Sequence, residues 1–329
     1  IIDTSAGDTS TDRVAVIAKR LIKSCIPVSV AAIVVNLSSF IDLITIPRCL
    51  NFALSSDPGY FTACFSDIIK AQGGAVRLAN FMYGSYTGLS WTMFMLIPSF
   101  TAMFGRSALP QIAGAWTLGN RKEFERKVTV VLRSNFVIGF PLYLGLSAMS
   151  RQILEFLFSG RQQEVTVSAT SLFILGLGGV FLTLSSTFIS IFQVIGRSDL
   201  PVKLMLPGCA VKLIFNVFTI SVPAININGA AVSTVIMYAA VALGGYFALE
   251  NVTGIDFHII RRMAVPLSAG VVCAVVSRIV YGFVRESVNA VTALFLPIAS
   301  GGAVYIILLI IFNEINLKSL LNRQKRKKF

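Results

Sequence analysis

The placement of Lys and Arg around eight apolar stretches constrains this chain more than any other feature. The stretches lie near residues 24–47, 81–104, 128–149, 167–194, 204–222, 226–249, 263–283 and 290–312. Each is long enough, at roughly 20 residues, to cross a hydrocarbon core as a helix. They are continuous runs rich in Leu, Ile, Val, Phe and Gly, unlike the short alternating segments of a membrane β-barrel. Composition agrees, with 55% hydrophobic and 13% charged residues and a mean hydropathy of +0.78. An average soluble domain is about 25% charged, and so few charges cannot cover a water-facing surface. The expected fold is all-α, a polytopic transmembrane helix bundle of about eight spans.

The net charge of +13 would suit a nucleic-acid binder, but its distribution argues for a membrane. With the amino end in the cytosol, the cytoplasmic segments hold Arg13, Lys19, Arg20, Lys23, Arg106, Arg121, Lys122, Arg126, Lys127, Arg197, Lys203, Arg261 and Arg262. They also hold Lys318, Arg323, Lys325, Arg326, Lys327 and Lys328, which brings them to 19 of the 28 basic residues. The outer loops hold six: Arg48, Lys70, Arg77, Arg151, Arg161 and Arg285. This positive-inside bias puts both ends in the cytosol and the chain in a bacterial cytoplasmic membrane. The basic tail at 314–329 then reads as a topology determinant and an anionic-lipid contact, with no nucleic acid expected as partner. Residues 1–20 are polar at the start, lack an initiator Met and read as a cytoplasmic linker, which suggests the carboxyl-terminal part of a longer protein.

Chemistry-bearing residues are few. Cys25, Cys209 and Cys273 lie in spans as small apolar groups, while Cys49 and Cys64 share an outer loop and are close enough in sequence to pair. One His and no CxxC leave no metal site to expect. His258, beside Asp256, reads as a solvated loop residue. No catalytic cluster or phosphate-binding P-loop occurs, so no enzyme and no cofactor are expected. Two amphipathic stretches stand between spans. Leu109, Ile112, Ala113 and Trp116 share a helical face, as do Phe61, Cys64, Phe65, Ile68 and Ile69, so each reads as a short helix lying in the interface. The second either packs over its loop or guides a lipid.

Charges within hydrocarbon cost several kcal/mol and need a reason. Asp42 sits near the outer end of the first span, with Asn36 below it and Arg48 beyond. An Asp42–Arg48 pair across a helix end at Pro47 is one reading. A cation or proton site, or a contact for a polar head group, is the other. Lys212 lies near the middle of the fifth span with Asn216 on the same face at i+4, and this pair is expected to line a wet cavity. Arg133 and Asn135 sit just inside the third span, where Arg133 either snorkels or lines the cavity. Arg278 is expected to snorkel. Bases facing a hydrated chamber would hold phosphate oxygens, so Asp42, Arg48, Arg133, Asn135, Lys212 and Asn216 are the candidate substrate-binding residues.

Several stretches resemble one family. They are Ile41-Asp42 to Ile46-Pro47-Arg48-Cys49-Leu50, Tyr83-Gly84-Ser85-Tyr86-Thr87-Gly88, and Ile97-Pro98 through Ala108-Leu109-Pro110-Gln111-Ile112-Ala113. Phe192-Gln193-Val194-Ile195-Gly196-Arg197 with Pro201, and Ile227-Asn228-Gly229-Ala230-Ala231, complete the set. In this order they resemble polysaccharide-biosynthesis proteins of the stage V sporulation protein B type, members of the MOP (MATE-like) flippase superfamily. The resemblance covers the chain from about Arg20, with a longer loop after Leu50 than the family usually has. It implies a second six-helix lobe at residues 21–250, two additional helices at 251–313, and an absent amino-terminal lobe as partner. It also implies alternating-access flipping of a lipid-linked oligosaccharide or peptidoglycan precursor, carried on a polyprenyl diphosphate, for cell-wall, spore-cortex or polysaccharide synthesis. The membrane potential or a cation at Asp42 would then drive transport. Cation-coupled multidrug efflux and a membrane-embedded glycan enzyme are the alternatives.

Overall fold

A computed structural model describes residues 14–74, 77–106 and 108–312, with side chains at 14–32, 34–35 and 102–106 outside the description. Most of the linker expected at 1–20, the side chain of Cys25 and the basic tail at 314–329 therefore lie outside the description. Among those described, the chain is helical throughout. Its order is α1 (Val14–Ser56), α2 (Pro58–Ala71), α3 (Leu78–Ser85), a π-helical segment (Tyr86–Trp91), α4 (Thr92–Arg106), α5 (Leu109–Thr117), α6 (Arg121–Ala148) and α7 (Ser150–Leu157). Then follow α8 (Gln162–Val194), α9 (Asp199–Ile220), α10 (Asn228–Thr253), α11 (Ile259–Val284) and α12 (Ala290–Ile311).

Seven helices are long and apolar enough to cross a membrane: α6, α8, α9, α10, α11, α12 and the Asn36–Ser56 part of α1. The remaining expected span, near 81–104, is a helical run interrupted by the π segment, and neither α3 nor α4 alone is long enough to span. The interruption has local supports. Ser90 donates to the Ser168 carbonyl at 2.8 Å, and Ser168 donates back to the Ser85 carbonyl at 2.9 Å. The second bond serves the Ser85 carbonyl at the start of the widened turn, and the first ties the π segment to the α8 backbone.

Two apolar cores flank α8, which is why α8 is the most buried of the spans. One joins α1, α2, α3, α9 and α10 around Ile46, Leu50, Phe61, Met82 and Met237. The other joins α5, α6, α10 and the start of α11 around Ile112, Phe124, Phe136, Phe188 and Phe257. Exposed Leu, Ile, Val and Phe cover much of the outside, as lipid contact requires. The two short amphipathic helices expected between spans are present. In α2, Phe61 and Ile68 face the core under an Asp57 N-cap; in α5, Ile112 and Ala115 do so.

Three sequence expectations change. The first helix does not stop at Pro47 but runs on to Ser56, because a membrane helix can absorb the one backbone bond that proline removes. Cys49 is buried in that extension and no longer shares a loop with Cys64, which is exposed on α2; the disulfide that the spacing allowed but did not demand is absent, and both are free thiols. The face of α2 turned inward therefore excludes Cys64.

Glycine sets the approach of α6 to α8. A Cβ on Gly176 would stand 2.8 Å from the Ser147 Cα and 2.9 Å from its backbone nitrogen, and one on Gly179 would stand 2.1 Å from the Tyr143 ring. Close backbone contact of this kind lets dispersion and hydroxyl bonds hold membrane helices, since lipid supplies no hydrophobic drive between them. Ser147 donates to the Phe173 carbonyl at 2.8 Å across the same seam. Gly176→Ala should lower stability by about 1–3 kcal/mol through overpacking against backbone. Gly145→Ala, on the same helix pair but with open space around it, should leave the thermal unfolding midpoint in detergent unchanged.

Candidate functional site

Helix α1 presents Ser38, Asp42 and Thr45 at i, i+4 and i+7, which places three polar groups on one face. Helix α9 presents Lys212 and Asn216 one turn apart, and α10 contributes Ser233. Packing of α1 and α10 on α9 brings all six together. The Lys212 ammonium donates to Asp42 Oδ2 at 2.6 Å and to Ser38 Oγ at 2.8 Å, with the Ser38 carbonyl at 3.5 Å. Asn216 Nδ2 donates to Asp42 Oδ1 at 3.0 Å and to Thr45 Oγ1 at 2.9 Å. Thr45 in turn donates to the Ile41 carbonyl at 2.6 Å. Ser233 donates to Asn216 Oδ1, closing the network onto α10. The Trp91 ring, at the end of the π segment, stands 5.6 Å from the Lys212 nitrogen, within cation–π range.

Burial decides what this cluster is. Lys212 and Asn216 are 0% exposed and Asp42 is 5% exposed. A lysine with no accessible surface cannot line a wet cavity, so the expected role of the Lys212–Asn216 pair as a chamber wall is not what this conformation holds. Lys212 instead neutralises Asp42, and both partners spend their remaining hydrogen-bonding capacity inside the bundle. Such a pair needs those extra bonds, because the desolvation of two charges rivals their attraction.

The other candidates lie apart. Arg48, the partner of Asp42 in one of the two sequence readings, is exposed on the extension of α1. Asn135 is buried on α6 and donates to Thr187 Oγ1 of α8 at 2.8 Å, while its Oδ1 finds no partner among the described residues. Arg133, two residues earlier, is half-buried. The six predicted residues thus form one tight cluster (Asp42, Lys212, Asn216), a separate α6–α8 position (Arg133, Asn135) and one exposed base.

A cavity of about 540 Å³ opens where α6, α7, α8 and α11 meet. Arg151 and Arg278 line it together with Ser147, Thr170, Phe173 and Val275. Arg151 is also bonded to Glu155 at 2.8 Å. Sequence reading foresaw Arg278 at an interface but not its nearness to Arg151. The positions are far apart in the chain and no motif links them. Ser38 and Thr45 were findable, because their spacing from Asp42 puts them on its helical face.

The sequence profile described as lipid II flippase MurJ matches residues 75–300. The chain belongs to the MurJ family. It is 23% identical over 243 residues to the lipid II flippase MurJ of Bacillus subtilis strain 168, a match that covers 71% of this chain and 44% of that protein. It is 28% identical over 153 residues to an uncharacterized membrane protein of Methanocaldococcus jannaschii, covering 46% of this chain and 29% of the other. The solved structure of a lipid II flippase MurJ in an inward closed conformation aligns with a TM-score of 0.55 at 18% identity, over 72% of this chain and 50% of that one. The fold is thus MurJ-like, and the chain spans half or less of the length of each of these relatives. It is a multi-pass membrane protein within the flippase superfamily that its motifs resemble.

The ion pair makes a measurable demand. Asp42→Asn leaves a buried ammonium without its carboxylate and should cost about 3–5 kcal/mol. The uncharged pair Asp42→Asn with Lys212→Met should recover most of that loss. Arg48→Ala should be nearly neutral. Unfolding midpoints of wild type, Asp42→Asn, Lys212→Met and the double variant in one detergent form the double-mutant cycle that checks this.

Proposed function

We propose that this chain forms part of a transporter that moves a lipid-linked peptidoglycan precursor across the cytoplasmic membrane. The match of the lipid II flippase profile over residues 75–300 carries the reading. Residues 21–250 act as one lobe of an alternating-access machine, with α11 and α12 as the additional pair. The packing of these two helices on each other and of α11 on α6, with Tyr305 donating to the Val137 carbonyl at 2.8 Å, supports treating them as an appendage to that lobe. The transport pathway forms where this lobe meets a second one, and both ends of the chain face the cytosol, as the basic residues of alternate loops favour.

The work is transfer, not bond chemistry. A polyprenyl diphosphate carries its charge on phosphate oxygens, which guanidinium groups pair with in bidentate fashion. Arg48 and Arg133 are the proposed contacts for it, with Asn135 beside Arg133. Asp42, Lys212 and Asn216 serve by holding α1 to α9 and α10 so that the lobe moves as one body. The motifs shared with stage V sporulation protein B-like proteins favour a glycan-bearing lipid over a soluble drug as cargo, and extend the setting to spore-cortex and polysaccharide synthesis.

The full-length gene should restore growth to a bacterium depleted of its own lipid II flippase, and precursor should become accessible to an added precursor-cleaving enzyme outside the cell. Arg133→Gln should lower that accessibility several-fold at unchanged protein level. Normal membrane insertion with no growth and no external precursor would defeat the proposal. Resistance to cationic drugs without precursor transfer would replace it with efflux.

A further inference from the structure

Helix α6 packs against both α8 and α11, and the cavity of about 540 Å³ is the space left between those two. Its lining changes character along the helix axes. At the end where α6 stops and α7 begins, the mouth carries Arg151 and Arg278. Beyond them the wall is apolar, through Phe173 and Val275 to Leu177 and Val271. At ~1.5 Å per residue, α11 covers about 10 Å from Arg278 to Val271 and α8 about 16 Å from Thr166 to Leu177. One leaflet of hydrocarbon is about 15 Å thick, half of the bilayer core. The apolar wall thus has the reach of a single leaflet, with both guanidinium groups at the level of its head groups.

The two arginines share one neighbourhood. Arg278 Nη1 reaches the carbonyl of Ala148, three residues before Arg151, at 3.5 Å. Arg151 gives its Nε to Glu155 at 2.8 Å. A guanidinium carries five N–H donors in a flat fork, so each keeps donors for an anion, and phosphate oxygens match that fork. Phe173, Leu177 and Val275 are about half exposed, so the cavity opens sideways to the surroundings of the bundle. It also stands apart from the Asp42–Lys212 cluster. Thr166 and Thr170 line it, whereas Ser168, two residues from each and about 200° round the helix, gives its hydroxyl to the π segment side at Ser85.

The geometry points to a binding site for an anionic glycerophospholipid, its phosphate held between Arg151 and Arg278 and one acyl chain laid along the apolar wall between α8 and α11. Free phosphate shares the head-group chemistry but leaves that wall unused. A seated chain fills the gap between α8 and α11 and braces the α11–α12 pair against the rest of the bundle. Assigning this lipid to the outer leaflet rests on the orientation proposed above; the binding itself does not.

The test uses the full-length protein in detergent. Thermal unfolding is measured with added phosphatidylglycerol, with phosphatidylcholine, whose ammonium cancels the head-group charge, and with sodium phosphate at equal ionic strength. Phosphatidylglycerol should raise the wild-type midpoint by several degrees, increasingly with its concentration, and the other two should not. Arg151→Gln/Arg278→Gln should lose most of that gain. Arg161→Gln/Arg285→Gln, which removes the same charge from two positions outside the cavity, should keep it. Val275→Trp retains both arginines but fills the groove, and should lose the gain too; it also serves alone if the arginine pair does not accumulate. An equal gain in both arginine pairs, or an undiminished gain in Val275→Trp, would overturn the site. A matching gain from sodium phosphate would reassign the mouth to a free anion and overturn the lipid. A larger gain from undecaprenyl diphosphate, lost in the same arginine pair, would give the cavity to the cargo and overturn it likewise. These midpoints read lipid binding and not transport, so a negative result leaves the flippase proposal standing.

Discussion

Burial of one carboxylate and one ammonium in contact organises the centre of this bundle. Neither charge could stay in an apolar interior alone; a lone buried ion costs several kcal/mol even after relaxation. Together they bring Ser38, Thr45, Asn216 and Ser233 into a single network whose donors and acceptors match. Three helices are fixed in rotation and depth by that matching, since a slide of one turn would strand both ions. Apolar packing between lipid-facing helices is far less particular about register. The polar cluster therefore supplies specificity where Leu and Ile supply contact.

The neighbouring π segment has a related logic. It turns Trp91 toward Lys212 while one reciprocal pair of hydroxyl–carbonyl bonds ties it to α8. A regular helix with the same sequence would rotate everything beyond Ser85 relative to α8. The widened turn and the ion pair thus meet at one place from different elements. Glycine contributes the opposite kind of constraint at the α6–α8 seam, where backbone approach at Gly176 leaves no space for even one methyl group.

Much of the architecture was legible in the residues. Long apolar runs gave the spans, because lipid demands about 20 residues per crossing and tolerates little charge. Amphipathic spacing gave α2 and α5. The break at Tyr86–Trp91 was not legible, since a π turn depends on which α8 carbonyls and hydroxyls happen to face it. The end of α1 was misplaced at Pro47 because proline is a strong stop signal in water and a weak one among membrane helices. That error put Asp42 too near the surface and made pairing with Arg48 one of its two candidate roles. Lys212 and Asn216 stood out by depth, yet their partner could not be named from periodicity, because α1 and α9 are adjacent only in the folded bundle. The nearness of Arg151 and Arg278 at one cavity escaped for the same reason.

The contact between Asp42 and Lys212 joins residues 170 positions apart in the chain. A ribosome adding roughly 5–20 residues per second completes α1 some 10–30 s before α9 exists. Throughout that interval the nascent protein carries an acid in its first span with no counter-charge of its own. The α1–α9 contact is thus a meeting of two helices that could not have settled earlier, and a chain that stops short of α9 is a poor resident of the bilayer.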